Sequence, residues 1–265
     1  NPPQQQINNL LELYQNKKYE DAKKLAVSLT KKFPKHQFAW KALGSILNQT
    51  GKISESLIPM QKSVQLAPQD ADAHNNLGIT LKALGRFKEA ELSYNKAIKL
   101  KPDYFVAHNN LGNTLQELQR LEEAEESFNK AIKLKPDYAE AYNNLGNALN
   151  ELGRLEDAEE SYTQAIRLKP RYHKAQLNLV KLLTVYSSQK ENPHSIVRAD
   201  QEIKKIDLIE KASGIISDDK IIQLFNKSIS IMERYNLELQ NNDSQIYRRN
   251  TVDLNCKRHK QIFDK

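Results

Sequence analysis

Five prolines stand at a constant spacing of 34 residues, and this spacing constrains the fold more than any other feature of the sequence. They are Pro34, Pro68, Pro102, Pro136 and Pro170. Seven of the eight glycines follow the same period. One column is Gly44, Gly78, Gly112 and Gly146, and a second is Gly51, Gly85 and Gly153, with Gln119 as its one departure. Residues 103–136 and 137–170 are identical at 23 of 34 positions. Self-similarity at this period predicts a solenoid of stacked units.

Each period is predicted to hold two helices. In residues 71–102, apolar residues three to four apart give each helix one apolar face. They are Ala73, Leu77, Leu81 and Leu84 in the first helix and Ala90, Tyr94, Ala97 and Ile98 in the second. Gly85 lies between the helices, where a left-handed residue ends a helix. Pro102 ends the second helix, and Asp103 is predicted to cap the next one.

Two small residues in the unit, Gly78 and Ala90, are interpreted as contact points between the paired helices. A large side chain at either position would force the helices apart by overpacking. The sequence therefore predicts closely packed helical hairpins.

The spaced residues of each unit resemble the motif of the tetratricopeptide repeat family. The motif positions are His74, Leu77, Gly78, Leu81, Ala90, Tyr94, Ala97 and Pro102, then His108, Leu111, Gly112, Leu115, Ala124, Phe128, Ala131 and Pro136, then Tyr142, Leu145, Gly146, Leu149, Ala158, Tyr162, Ala165 and Pro170. The resemblance implies an all-α fold, with antiparallel helix pairs stacked into a right-handed superhelix (an α-solenoid) of about 5.5 repeats. It also implies a concave groove lined by the first helix of each repeat.

The solenoid is predicted at residues 1–187, where the resemblance applies. The residues that follow differ in pattern and predict a linker at 188–198 and a helical segment at 199–265. The repeats lie at about 3–34, 37–68, 71–102, 105–136 and 139–170, with a partial repeat at 173–187. The C-terminal segment is interpreted as a cap on the sixth repeat or as the start of a second domain.

Two repeats depart from the motif. Residues 3–34 lack the Leu-Gly pair, which indicates a degenerate first repeat that serves as a cap. Residues 37–68 carry Ser56 and Ser63 in place of two alanines, and they place Pro59 inside the second helix. We expect Pro59 to kink or shorten that helix.

Composition excludes several classes of protein. No run of eighteen apolar residues is present, as a membrane span would need, and residues 1–9 do not resemble a signal peptide. The single cysteine, Cys256, argues against a disulfide framework and favours a cytoplasmic protein. The net charge is +7, of which +5 lies in residues 171–265, and this excess is too small to predict nucleic-acid binding.

Catalytic chemistry has little support in the sequence. The glycines are explained by packing and turns, so no phosphate-binding loop is predicted. Acidic clusters at 122–126 and 156–160 repeat on one surface and do not face each other across a cleft. His74 and His108 occupy an aromatic position of the repeat, and Cys256 with His259 lacks a third partner. We therefore predict no enzyme activity, no cofactor, no metal site and no small-molecule substrate.

Asparagines near the Leu-Gly pair are the candidate binding residues. They are Asn75, Asn76, Asn109, Asn110, Asn113, Asn143, Asn144, Asn147 and Asn178. Asparagine is a mediocre helix former, so its recurrence inside helices needs a reason. A row of amides can pair with the backbone of an extended peptide. The arrangement resembles the asparagine ladder of the O-linked N-acetylglucosamine transferase superhelix.

Other interpretations remain open. One asparagine of each pair can instead form hydrogen bonds between neighbouring repeats. A carboxylate clamp, known from other members of the family, is disfavoured because Asn109 and Asn178 stand where basic residues are required and only Lys174 matches. The sequence predicts a scaffold that binds an extended peptide or partner protein, with no nucleic acid or membrane partner. The alternative is the N-terminal recognition arm of a larger glycosyltransferase or sulfotransferase.

Overall fold

The computed structural model describes the backbone of residues 1–190 and the side chains of residues 1–183. The predicted C-terminal segment at 199–265, with Cys256 and His259, lies outside the described residues, as does most of the predicted linker.

Residues 1–190 form eleven α-helices, and they contain no strand. The helices are α1 (Gln4–Gln15), α2 (Tyr19–Lys32), α3 (Gln37–Gln49), α4 (Ile53–Leu66), α5 (Ala71–Ala83), α6 (Phe87–Leu100), α7 (Phe105–Glu117), α8 (Leu121–Leu134), α9 (Ala139–Glu151), α10 (Leu155–Leu168) and α11 (His173–Lys190). This confirms the predicted fold class, an all-α solenoid of helical hairpins. The last helix extends three residues beyond the boundary predicted at residue 187.

The chain divides into two compact units, residues 1–136 and residues 137–265. In the first unit, α1 to α8 form four successive hairpins, and the second helix of each hairpin packs against the first helix of the next. In the second unit, α9 and α10 form a hairpin, and α11 packs against both of its helices. Within each unit, the buried residues lie between the two helices of a hairpin and between adjacent hairpins.

The first glycine column lies where the two helices of a hairpin meet. A Cβ atom on Gly112 would lie 2.6 Å from the ring of Phe128, and one on Gly78 would lie 2.6 Å from the ring of Tyr94. Real Cβ atoms do not approach a neighbour this closely, so no residue other than glycine fits without a shift of the ring. The predicted close approach is confirmed.

The second glycine column ends the first helix of a hairpin in the left-handed backbone region, as Gly85 does with a φ of +72°. Gln119 takes the same conformation with a φ of 59°, and Lys17 does so with a φ of 57°. The turn geometry is therefore kept where the glycine is missing, at the steric cost that a Cβ carries in this region.

Two local expectations, a shortened α4 and a cap at Asp103, are wrong. Pro59 does not shorten α4, which has 14 residues like α2, α6 and α8. Pro59 is buried inside α4, although it cannot donate a backbone hydrogen bond there. Asp103 does not cap α7, whose N-cap is Tyr104 without a side-chain hydrogen bond. Asp70, which does cap α5, stands one residue later in the repeat than Asp103.

We predict that Gly112→Ala destabilises the fold more than Gly44→Ala. Both substitutions gain the same helix propensity, about 1 kcal/mol, so their difference isolates the packing cost. The new methyl group at residue 112 meets the stiff ring of Phe128, whereas at residue 44 it meets the flexible side chain of Met60. We expect a difference of about 1–2 kcal/mol in the free energy of unfolding, measured by urea titration. Equal costs for the two variants would contradict this account of the glycine column.

Candidate functional site

A pocket of about 180 Å³ opens on the face that the first helices of the first three hairpins form. Its lining residues are Leu10, Leu11 and Tyr14 from α1, Phe38, Lys41, Ala42, Ser45 and Ile46 from α3, and Asn76 from α5. None of these residues belongs to a second helix. We call the surface formed by the first helices of the first unit, α1, α3, α5 and α7, the first-helix face, and it is the surface on which the groove was predicted.

The pocket lies beside the one hairpin of the first unit that has no glycine in the close-approach column. Leu10 stands 34 residues before Gly44, so leucine occupies the glycine position of the first repeat. Its side chain is buried, with an exposed fraction of 1%. Accordingly, α1 packs less extensively on α2 than the first helices of the other three hairpins pack on their partners. Leu11 and Tyr14 of α1 are partly open to solvent on this face.

The nine predicted asparagines fall into two classes of burial. Asn75, Asn109, Asn143 and Asn144 are buried. The remaining five are partly exposed: Asn76, Asn110, Asn113, Asn147 and Asn178. The first asparagine of each pair is therefore inside the array, and in the first unit the second asparagine of each pair reaches the surface.

Hydrogen bonds between neighbouring repeats account for some of these side chains. Asn110 Nδ2 donates to Asn75 Oδ1 at 3.0 Å, and Asn178 Nδ2 donates to Asn143 Oδ1 at 3.0 Å. In both cases the second asparagine of one repeat contacts the first asparagine of the repeat before it, 35 residues earlier. The alternative interpretation of the pairs, bonding between repeats, is thus observed at these two places.

In the second unit, this bonding extends into a network of side chains. Asn147 Oδ1 accepts hydrogen bonds from Tyr162 Oη at 2.9 Å and from Asn178 Nδ2 at 2.9 Å. Asn143 Nδ2 donates to Asn144 Oδ1 at 3.2 Å. The network joins α9, α10 and α11, and it satisfies both ends of the fully buried Asn143 amide.

Two amides of the first-helix face remain available. In the part of the chain that the structure describes, the side chains of Asn76 and Asn113 have no hydrogen-bond partner, and both are partly exposed. Asn76 lines the pocket. Asn113 lies two periods after Ser45, another residue of the pocket wall, so it has the same register on its own helix.

The histidines have a structural role in the array. His74 Nε2 donates to the carbonyl oxygen of Pro68, and His108 Nε2 donates to that of Pro102, both at 3.1 Å. Other side chains in this position form the same bond. They are Trp40 to Pro34 at 2.8 Å and Gln176 to Pro170 at 3.0 Å. In α3, α5, α7 and α11 the position therefore holds a donor that anchors the first helix to the proline ending the repeat before it.

Burial lowers the pKa of His108, because the charged imidazolium is poorly solvated inside the array. The hydrogen bond to the Pro102 carbonyl opposes this shift in part, and nearby Lys130 adds to it. His108 is thus held neutral.

The acidic clusters form local ion pairs on the surface. Arg120 pairs with Glu123 and with Glu91, and Arg154 pairs with Asp157. Within residues 1–183, no group of three or more His, Cys, Asp or Glu side chains is arranged to hold a metal ion. None of the described helices is both long enough and apolar enough to cross a lipid bilayer.

The pocket was not predicted from the sequence. Leu10 at the glycine position of the first repeat indicates an irregular hairpin, but this substitution alone does not show where a pocket forms. The apolar residues that line the pocket have the spacing of an ordinary amphipathic helix in the sequence.

Comparison with protein families finds the tetratricopeptide repeat at three adjoining stretches, residues 9–71, 71–104 and 103–171. A search among curated proteins finds no match.

Solved structures match along most of the described chain. PilF of Pseudomonas aeruginosa is 22% identical, with a TM-score of 0.62 over 85% of this chain and 97% of its own. PilW, a type IV pilus biogenesis factor, is 17% identical, with a TM-score of 0.67 over 77% of this chain and 96% of its own. YrrB, described as a repeat protein with an unusual peptide-binding site, is 22% identical, with a TM-score of 0.54 over 64% of this chain and 88% of its own. At these identities the similarity concerns the fold.

We predict that acid weakens the fold in part through His108. Its pKa is lower in the folded chain than in the unfolded chain, where it has its ordinary value of about 6.5. Below that pH the unfolded state binds a proton that the folded state resists, so the free energy of unfolding falls as the pH drops. His108→Gln, which introduces the side chain that Gln176 has at the same position, should keep the bond to the proline carbonyl and lose this part of the pH dependence. Urea titrations at about pH 7 and pH 5 measure the free energy of unfolding of the parent and the variant. An equal fall in this free energy for both proteins would contradict the prediction.

We also predict that Asn143 and Asn113 respond differently to alanine substitution. Asn143→Ala removes the hydrogen bonds that the fully buried Asn143 amide forms with Asn144 and Asn178, and it should lower the free energy of unfolding by about 1–2 kcal/mol. Asn113→Ala breaks no bond and replaces a poorer helix former, so stability should not fall. Thermal and urea unfolding of the two variants give the comparison. A comparable loss in Asn113→Ala would mean that its amide supports the fold.

Proposed function

Since this chain belongs to the tetratricopeptide repeat family, matching it across residues 9–171, we propose that it is a non-catalytic scaffold for a partner protein. The bound element is an extended peptide segment of the partner, and the binding surface is the first-helix face of the first unit. The observation that carries the proposal is a pair of amides on this face, Asn76 on α5 and Asn113 on α7, that have no partner among the described residues.

The amides suit the backbone of an extended chain. A side-chain amide offers two donor hydrogens and an acceptor oxygen, which match the C=O and N–H groups that an extended peptide presents. Asn76 and Asn113 have both ends of the amide available, and Asn110 keeps its Oδ1 after donating to Asn75. Three successive amides on α5 and α7 therefore support a peptide backbone laid across these two helices.

The proposed contact surface contains fewer asparagines than were predicted from the sequence. Asn75 and Asn109 are buried, so they do not belong to the contact surface proposed here. Asn143, Asn147 and Asn178 take part in the network of the second unit, and Asn144 is buried there. We therefore assign the peptide contacts to Asn76, Asn110 and Asn113.

The energetic cost of asparagine inside these helices is consistent with a role in peptide binding. Asparagine inside a helix costs roughly 0.6 kcal/mol relative to alanine. Asn75 and Asn143 recover that cost through bonds inside the array, whereas Asn76 and Asn113 form none there. Hydrogen bonds from a ligand to these two amides would offset the cost of placing asparagine there. Among the similar structures, YrrB is described as having a peptide-binding site, which supports peptide binding for this fold.

We predict that the double substitution Asn76→Ala and Asn113→Ala weakens peptide binding without weakening the fold. The probes are fluorescein-labelled peptides selected on the full chain from a random library, measured by fluorescence anisotropy. Two lost hydrogen bonds should cost about 1–3 kcal/mol of binding free energy. The loss should be similar for peptides of unrelated sequence, and it should change little with salt, because no full charge is removed.

The matched control replaces two asparagines on second helices, Asn95→Ala and Asn129→Ala, which are exposed on α6 and α8. The control should bind as the parent chain does, and all three proteins should have the same helicity by circular dichroism. Unchanged affinity of the Asn76 and Asn113 variant would overturn the assignment of these residues. Failure to select any peptide on the full chain would overturn the proposed function itself.

A further inference from the structure

The pocket on the first-helix face has the size of one large apolar side chain. Its volume is about 180 Å³. An apolar cavity of roughly 150 Å³ is known to hold a benzene ring, so a leucine, isoleucine or phenylalanine side chain fits here. The pocket is open at the surface, and a side chain can therefore enter it without unfolding the array.

The walls of the pocket are mostly apolar and partly exposed. Leu11 is 43% exposed and Tyr14 is 36% exposed, and Phe38 and Ala42 are partly buried beside them. Burial of such a surface against a ligand is favourable in proportion to the apolar area removed from water. Lys41, also in the wall, is paired with Asp70 at 2.8 Å, so its charge is compensated.

One polar group of the wall connects the pocket to the proposed peptide surface. Asn76 lines the pocket, and its amide has no partner among the described residues. A peptide whose side chain occupies the pocket would bring its backbone to Asn76. Asn110 and Asn113 follow on the next first helix, α7, so one peptide can engage both features.

Charge is distributed unevenly along the first unit. Residues 1–68, which form the two hairpins that supply most of the pocket, contain ten lysines and only four acidic residues, a net charge of +6. Residues 69–136, the other two hairpins of the unit, have no net charge. The two hairpins that supply most of the pocket thus carry a net positive charge, which favours a ligand segment that carries carboxylates.

From these observations we infer that the pocket receives one large apolar side chain of an acidic, extended segment of the partner protein. This inference rests on the proposed function, because it names the class of peptide that the same face binds. The apolar side chain is the anchor, the amides of Asn76, Asn110 and Asn113 hold the backbone, and acidic residues on either side of the anchor meet the positive field of the first two hairpins.

The test begins with selection of peptides from a phage-displayed random library on the full chain. We expect the selected peptides to share one leucine, isoleucine, methionine or aromatic residue flanked by aspartate or glutamate. In anisotropy measurements with the best peptide, replacement of that residue by alanine should weaken binding about tenfold or more, since burial of such a side chain contributes about 1.5–3 kcal/mol. Exchange of the flanking acids for lysine should weaken binding further, and more strongly at low salt.

Two substitutions alter the pocket from different sides. Leu11→Ser removes an exposed apolar wall residue, and Ser45→Phe fills the space. Each should weaken the anchored peptide about tenfold and should have little effect on the same peptide with alanine at the anchor. The matched control is Leu92→Ser, which removes a 70% exposed leucine on α6, outside the pocket, and should bind as the parent chain does.

The outcomes separate the pocket from the proposed function. Peptides that lose affinity in the Asn76 and Asn113 variant but are indifferent to Leu11→Ser and Ser45→Phe would overturn the anchor and leave the scaffold function standing. Selection of basic peptides would overturn the charge assignment. Self-association of the chain in sedimentation experiments, lost in Leu11→Ser and Ser45→Phe, would show that a second copy occupies the pocket. Recovery of no peptide would overturn both proposals.

Discussion

The close approach of the paired helices is the constraint on which the rest of the structure depends. A glycine on the first helix of each complete hairpin faces a large side chain on the second, at a distance where even a methyl group does not fit beside the ring. Tyr94, Phe128 and Tyr162 fill the space that the glycine leaves, and they are among the most deeply buried side chains of the described residues. Once this spacing is set, the alanines of the second helix follow as a consequence of close packing.

The pocket lies beside the one hairpin of the first unit that lacks this close approach. With Leu10 in the glycine position, α1 cannot lie as close to α2 as the later first helices lie to their partners. The pocket lies on the first-helix face, among α1, α3 and α5, and apolar side chains of α1 and α3 form most of its wall. An irregular first repeat, which in the sequence is only a loss of motif, is in the structure the origin of a distinct surface.

Polar residues divide between stability and recognition. The buried asparagines act as cross-links between hairpins, because an amide inside the array is favourable only when its donors and acceptors are satisfied. The partly exposed Asn76 and Asn113 have no such partners within residues 1–183, although they lie in the same asparagine-rich segments as the buried ones. In the proposed function, recognition and stability therefore use the same residue type within one turn of helix, and the register of the helix decides which amides are buried.

The sequence by itself determined the repeat, its helices and their tight pairing, because proline, glycine and apolar spacing act locally and recur every 34 residues. It also placed His74 and His108 in a packing position. It could not decide which asparagine of a pair is buried, because Asn75 and Asn76 are adjacent and differ only in the direction they face. Nor could it show that Leu10 opens a pocket, since that depends on how three helices distant in sequence come together. Only the tertiary structure decided these points, because burial and hydrogen bonding between repeats are set by packing across hairpins.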